Sequence, residues 1–324
     1  MNRMKDKPKI VYPDASESEG TVFAPLFQRL DSIADFSVFT GRPASTAEFT
    51  ARIGNARGIL LGWDLPLEVM AQCRELEVIS FTGIGVDKYV DLDLAHQQGI
   101  TVCNCPGYSD VTVAEHTLAL LLAVTRHIPE LDQALRTGNW NQSLPAIELY
   151  GKTIGLVGFG GIVRHLAGLC RAFGLEVKVW NRTENRAWET QYDVTCCTLD
   201  ELYASSDIVS LHLASNSQTE GFVNQHSFEQ MKDGVILLNT ARGELVVEQD
   251  MMTALQSGKI SAAGLDVFHD EPVAPDHPIL KLENVVLSPH VGFNTPEAVY
   301  RLFDIGVTNL EKYFAGEPVN IVKS

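Results

Sequence analysis

Short apolar runs alternate with amphipathic stretches from Lys9 almost to the end of the chain, and few architectures accept that rhythm. IVYPD, FSVFT, GILLG, LEVISF and GITVCN have the length and composition of strands, with helical patterns between them. Strands joined through helices pair in parallel, because a parallel connection needs a long crossover. After Asn104, PGYSD leads into VAEHTLALLLAVTRHI, which reads as one long, largely buried helix with Asp110 as its N-cap. A second series follows: TIGLVG, LEVKVW, DIVSLHL, GVILLN, ISAAGLDV and NVVLSP. Two series in 324 residues predict an α/β protein with two doubly wound parallel-sheet domains. A last helix, about Pro296 to Phe314, has no strand of its own and is expected to return to the first domain. The domains are therefore read as 1–103 with 293–324, and 104–292.

Composition narrows the partners. A net charge of −16 repels nucleic acid and anionic lipid, and it makes each well-placed arginine informative. The apolar stretch Leu118 to Val124 is far too short to span a bilayer, so no membrane partner is expected. The N-terminus, MNRMKDKPKI, has no apolar core of a secretory signal. Cysteines at 73, 103, 105, 170, 196 and 197 lack the paired spacing of a zinc site and suit free thiols in a reducing cytoplasm. His269 and His277 lie near Glu271 without ligand spacing, so no metal is expected. His116 reads as a packing or interface residue. The helix after Val113 is more apolar than a surface helix needs to be, which predicts a homodimer face.

The second domain carries a glycine fingerprint. Gly158-Phe159-Gly160-Gly161-Ile162-Val163 follows a strand-like TIGLV and opens a helical pattern. Gly158 permits a tight turn, and Gly160 lets backbone approach a pyrophosphate at a helix N-terminus. Val163 stands where a third glycine is usual, so the helix is expected to ride further off the strand. The next strand ends at Asn181-Arg182-Thr183, where an NAD site usually places an acid against the ribose hydroxyls. Here Asn181 and Thr183 are neutral hydrogen-bonding groups, and Arg182 can pair with a 2′-phosphate. NADP(H) is therefore favoured over NAD(H), with Arg164 or Arg186 as possible helpers.

Three residues of the last third carry chemistry. Arg242 follows GVILLNTA, Glu271 follows AAGLDVFHD and His290 follows NVVLSP, so each stands beyond a strand end. Strand ends of a parallel sheet open onto the ligand crevice. A fixed cation, a carboxylate and an imidazole gathered there suit an acid/base enzyme acting on an organic acid. In the first domain, Gly83-Ile84-Gly85 follows LEVISF and can turn backbone N–H groups onto an anion.

The chain resembles the D-isomer-specific 2-hydroxyacid dehydrogenases, the group of glycerate, glyoxylate/hydroxypyruvate and phosphoglycerate dehydrogenases. GIGVDKYVD, GITVCNCPGYS, VAEHTLALLLAVTR, ELYGKTIGLVGFG, LLNTARGELV, AGLDVFHDEP and SPHVGFNT carry the likeness, from about Leu76 to Thr295. Val163, Asn181 and Ala214 depart from the family pattern. The resemblance implies a flavodoxin-like substrate domain and a Rossmann dinucleotide-binding domain. It also implies reversible NAD(P)H-dependent reduction of a small 2-oxo acid. His290 is then the acid/base and Glu271 the carboxylate that orients it. Arg242 anchors the substrate carboxylate opposite the loop at 83–85. Asp266 holds the nicotinamide carboxamide, and Thr240 and Ala241 line the cofactor. Trp63 is placed on the substrate rim. GWDLPLE contains no lysine or arginine, which disfavours a phosphorylated substrate and favours hydroxypyruvate or glyoxylate. Bulkier 2-hydroxy acids are the alternative. The likeness extends also to the C-terminal-binding-protein corepressors, non-enzymatic dinucleotide sensors, but no basic partner-binding tract supports that reading.

Overall fold

The computed structural model describes residues 7–183 and 185–322, and the chain divides into two units. The first comprises 1–108 and 295–324. Its sheet is built from β1 (Lys9–Ala15), β2 (Asp35–Thr40), β3 (Gly58–Leu61), β4 (Val78–Phe81) and β5 (Thr101–Cys103). All pairings are parallel, in the order β2-β1-β3-β4-β5. β3 and β4 are buried at every position, as strands covered on both faces must be, which explains their unbroken apolar sequence. The C-terminal helix, Pro296–Phe314, belongs to this unit. Thr295 caps it by accepting from the Ala298 N–H, and proline occupies the first turn where no amide donor is needed. Phe303, Val307 and Leu310 bury its inner face with Ile10, Tyr12, Leu60 and Val78.

The division falls at 108/109 and 294/295, a few residues beyond the crossings read from sequence. Hydrogen bonds explain the first shift. Asn104 N–H donates to Asn320, Cys105 N–H donates to Gly83, and the Arg301 side chain donates to the Tyr108 carbonyl. Together they tie 104–108 to the first unit.

The second unit, 109–294, holds a seven-stranded parallel sheet. Its strands are β6 (Thr153–Val157), β7 (Glu176–Trp180), β8 (Thr195–Cys196), β9 (Ile208–Leu211), β10 (Val235–Asn239), β11 (Ile260–Leu265) and β12 (Val285–Leu287). The order β12-β11-β10-β9-β6-β7-β8 reverses direction between β6 and β9, the switch point of a Rossmann sheet. The short β8 is an addition to the six strands read from sequence.

The long helix runs from Asp110 to Arg126. Asp110 does not cap it. Ser109 holds the N-cap position without a side-chain bond, and the Asp110 carboxylate lies against Gly161 at the start of the helix Gly161–Ala172. The pattern read as one helix through Ile128 breaks at His127, whose φ is 53°. Pro129 has no amide to donate back to the Thr125 carbonyl, which takes the Ile147 N–H at 2.8 Å instead, and it stands in the first turn of the next helix, where no donor is needed. A separate helix, Ile128–Arg136, follows. Ala114, Leu120, Leu121 and Val124 of the long helix are buried in the core of their own unit, so intramolecular packing accounts for its apolar character. Large apolar side chains lie exposed further along instead, at Ile128, Leu135, Trp140 and Tyr150. Among the described residues, no helix is long and apolar enough to cross a membrane.

Candidate active site

β10, β11 and β12 are neighbours in the sheet, and the segments beyond their carboxyl ends carry Arg242, Glu271 and His290 in turn. Buried Asn239, the last residue of β10, shapes the first of these segments. Its side chain accepts from the Ala241 N–H at 3.1 Å and donates to the Arg242 carbonyl at 2.8 Å. The Arg242 guanidinium folds back to the Ala241 carbonyl, 2.6 Å away. At Gly243 a Cβ would stand 2.0 Å from the Phe268 carbonyl carbon, so only glycine lets the arginine turn touch the segment leading to Glu271. Thr240 is buried. Because the Thr117 hydroxyl donates to the Val113 carbonyl, the Thr240 hydroxyl donates to Thr117, 2.8 Å away. Its hydroxyl proton is thus committed within the protein.

Glu271 and His290, nineteen residues apart, meet at 2.7 Å between Oε2 and Nδ1. The Phe268 N–H holds the other carboxylate oxygen at 2.9 Å. Burial raises the Glu271 carboxyl, but the His290 and Phe268 hydrogen bonds and the charges of His290 and Arg242 bring it below its ordinary value. An ionised carboxylate only accepts, so Nδ1 must carry the proton of this bond and Nε2 is left for exchange with a ligand. Both side chains remain more than a third exposed.

Asp266 lies directly beneath, and its carboxylate is largely occupied by the loop that bears His290. Oδ1 accepts from the Ser288 hydroxyl at 2.6 Å and the Val291 N–H at 3.0 Å, while Oδ2 accepts from the Gly292 N–H at 2.8 Å. His116 Nε2 stands 3.3 Å from Oδ1. Burial works to raise this carboxyl too, and the donors from His116, Ser288, Val291 and Gly292 outweigh it, leaving the carboxyl lowered. The role expected for Asp266, holding a carboxamide, therefore competes with an internal one that the structure displays directly.

The glycine turn sits at the switch point beyond β6. Gly158 has φ +100°, and a Cβ there would meet the His212 carbonyl oxygen at 2.7 Å. Gly160 is different: no protein atom would lie within 4 Å of its Cβ. It is the N-cap of the helix Gly161–Ala172, and no side chain caps the first-turn N–H groups. Open space at Gly160, before a helix whose N-cap makes no side-chain bond, fits a pyrophosphate, with the Asp110 carboxylate beside it against Gly161. Ile162 stands half-buried in that first turn. Val163 is fully buried in the core, so the third-glycine position is filled by packing.

Phe159 does not present itself to a ligand. Its ring is buried against Trp188 at 4.6 Å, and its N–H donates to Asn181 Oδ1 at 3.2 Å. Asn181 also donates to the Thr183 carbonyl at 3.0 Å, so its amide ties the glycine turn to the end of β7. Beside it a cavity of about 260 Å³ is lined by Trp180, Asn181, Arg182, Trp188, Cys197 and Thr198. Arg182 is exposed and meets Gln218 at 3.3 Å. Arg186 is bonded to Glu189 and the Cys196 carbonyl, and Arg164 lies over the Tyr192 ring. These two therefore have local structural partners.

In the first unit, the Gly83 N–H donates to the Phe81 carbonyl, and Ile84 accepts from Asn104. The N–H groups of Ile84 and Gly85 have no hydrogen-bond partner among the described residues. Beyond β3, the buried Asp14 carboxylate receives the N–H groups of Gly62 and Trp63 at 3.1 and 2.8 Å. Burial pushes its carboxyl up to about 6, against these two bonds. Trp63 is 44% exposed, and the Arg42 guanidinium stacks over it, 3.9 Å from the ring centroid. A basic side chain thus stands beside Trp63, arriving from the segment after β2, which the stretch GWDLPLE alone does not reveal.

Asn239, Ser288 and the hydrogen-bonding role of His116 escaped the sequence reading. Asn239 had one signal, as the single polar residue ending an otherwise apolar strand. Ser288 and His116 had none, since their partners are distant in sequence.

Comparison with known proteins agrees with this arrangement. The family model for the D-isomer specific 2-hydroxyacid dehydrogenase NAD binding domain matches residues 118–292. A hydroxypyruvate reductase from Blautia hydrogenotrophica is 37% identical over 283 residues, spanning 85% of this chain and 87% of that one. A D-3-phosphoglycerate dehydrogenase from Archaeoglobus fulgidus is 38% identical over 78% of this chain, which spans only 48% of that longer protein. Among solved structures, the NADPH-dependent glyoxylate/hydroxypyruvate reductase of Sinorhizobium meliloti, in complex with citrate, superposes with a TM-score of 0.85. It is 30% identical, with 98% of each chain covered. A Rossmann sheet, a hydrogen-bonded histidine–glutamate pair beyond its carboxyl edge and these matches lead to one assignment: the chain belongs to the D-isomer specific 2-hydroxyacid dehydrogenase family.

Proposed function

We propose that the protein reduces a small 2-oxo acid to the D-2-hydroxy acid, reversibly, with hydroxypyruvate and glyoxylate as lead substrates. The observation that carries this reading is the 2.7 Å contact of His290 with Glu271, beyond the two strands next to the one that Arg242 follows. The nicotinamide dinucleotide, when bound, supplies the hydride. His290 Nε2 delivers the proton to the carbonyl oxygen, and Glu271 keeps the opposite nitrogen protonated and the ring oriented. Arg242 binds the substrate carboxylate through its planar fork and polarises the neighbouring carbonyl. The Ile84 and Gly85 amides of the first unit are assigned to an anionic group. Gly158, Gly160, Gly161, Ile162, Thr240 and Ala241 are assigned to the dinucleotide.

NADPH is preferred to NADH on this reading, because Arg182 stands exposed beside the cavity at the end of β7 and no acid takes the place of Asn181. The Sinorhizobium relative is named as NADPH-dependent. A homodimer is proposed, with the exposed apolar residues of 128–150 as its face. Six free cysteines suit a cytoplasmic setting. Arg42 over Trp63 supports a second reading, in which the substrate carries a second anionic group such as a phosphate.

Loss of reduced-nicotinamide absorbance tests both, with NADPH and NADH in parallel, on hydroxypyruvate, glyoxylate and 3-phosphohydroxypyruvate. Fast turnover of the first two with NADPH is expected. A preference for the phosphorylated acid that disappears in Arg42→Ala would establish the second reading. No turnover of any of the three would overturn both.

A further inference from the structure

We propose that His116 and Ser288 are positioning residues for proton transfer by His290, an inference that rests on the acid/base role assigned above. Hydrogen-bond chemistry fixes the direction of the chain they form. The Asp266 carboxylate only accepts, so the Ser288 hydroxyl gives it its single proton at 2.6 Å. The serine oxygen must then accept from His116 Nε2, 2.9 Å away. His116 therefore carries a proton on Nε2, and the order is His116 to Ser288 to Asp266.

What this chain holds is the backbone under His290. That residue has φ 52°, a conformation that side chains with a Cβ rarely adopt and that surrounding contacts must impose. The His290 N–H donates to the Asp266 carbonyl at 2.8 Å, and the next two amides, Val291 and Gly292, donate to the Asp266 carboxylate. Three consecutive backbone donors thus converge on one aspartate, whose rotamer Ser288 and His116 set from the other side. Gly292 completes the fit, since a Cβ there would stand 2.8 Å from Asp266 Oδ2 and 3.2 Å from the His116 ring. The long helix is thereby linked to the imidazole through side chains rather than through the sheet. A shift of the aspartate moves the loop, and with it the Nδ1 contact to Glu271 and the direction of Nε2.

The test compares Ser288→Ala and His116→Leu with the conservative Ser288→Thr and His116→Gln, each checked for folding by its melting temperature. Ser288→Ala and His116→Leu should lower kcat at least tenfold, with KM and the dinucleotide Kd within twofold of the parent. The conservative variants should recover to within threefold. The second readout does not need turnover: the downfield imidazole N–H proton resonance that vanishes in His290→Gln should broaden or disappear in Ser288→Ala. An unchanged kcat and an unchanged resonance in folded Ser288→Ala would overturn the inference. So would a loss confined to dinucleotide affinity, which would assign the cluster to the cofactor. A parent protein inactive on every 2-oxo acid, yet showing the resonance and its loss in Ser288→Ala, would refute the function while leaving the positioning chain intact.

Discussion

The glycine turn beyond β6 and the acid/base cluster beyond β10 to β12 lie on the carboxyl edge of one sheet, yet they are built on opposite principles. The turn works by leaving space: a Cβ at Gly160 would meet no other protein atom within 4 Å, and the N-cap of the helix behind it makes no side-chain bond. The cluster works by internal bonding that leaves His290 Nε2 for a ligand. Asp266, Ser288, His116 and the backbone of 290–292 satisfy one another, and the His290 ring separately meets Glu271, at 2.6–3.3 Å. A binding turn has to accept a large charged ligand, so its donors must wait for the ligand. A proton-transfer group has to sit in one place throughout, so its surroundings must over-determine it.

Substitutions can break this contrast. The largest effect is expected at Gly243, where a Cβ would overlap the Phe268 backbone. Gly243→Ala should cost about 3 kcal/mol of stability by denaturant titration and most of the activity, because the Arg242 turn and the Glu271 segment can no longer touch. Gly160→Ala should show the opposite pattern. The melting temperature should hold, since nothing in the protein meets the new methyl, while dinucleotide affinity falls about tenfold. Equal stability losses in both variants would erase the distinction.

A smaller effect follows from the lowered Asp266 carboxyl. Its unfolded-state value is about 3.9. Between that value and the lower folded one, the unfolded chain binds more protons, so stability rises with pH through this window. The contribution is complete above it and lost on acidification. Asp266→Asn should flatten that part of the acid limb in urea titrations across pH. A limb of unchanged slope would mean that the carboxylate is not held as described.

The same contrast explains what the sequence made legible. Alternating apolar runs revealed the two parallel sheets, because strands buried on both faces leave an unbroken signature, as in GILL and VISF. The glycine turn was legible because glycines in a strand–turn–helix context have a steric reason, as Gly158 does against the His212 carbonyl. His290, Glu271 and Arg242 were legible as motifs beyond strand ends, although the contact of His290 with Glu271 depends on β11 and β12 lying side by side. Their supports were hidden. His116 and Ser288 are 172 residues apart, and no local pattern announces a hydrogen bond at that separation. The Arg42 stack on Trp63 escaped for the same reason, since the two residues follow different strands. Asp110 misled because an acid before an apolar helix usually caps it, whereas here its carboxylate lies against the neighbouring helix at Gly161.

The separation of binding from proton transfer is tested most directly in His290→Gln, by fluorescence titration of the reduced dinucleotide set beside kcat on the best 2-oxo acid. The account predicts a kcat reduced about a thousandfold, with a dinucleotide Kd within twofold of the parent. Surviving turnover would contradict the acid/base assignment. A Kd that weakens in step with kcat would contradict the division of labour between the two regions.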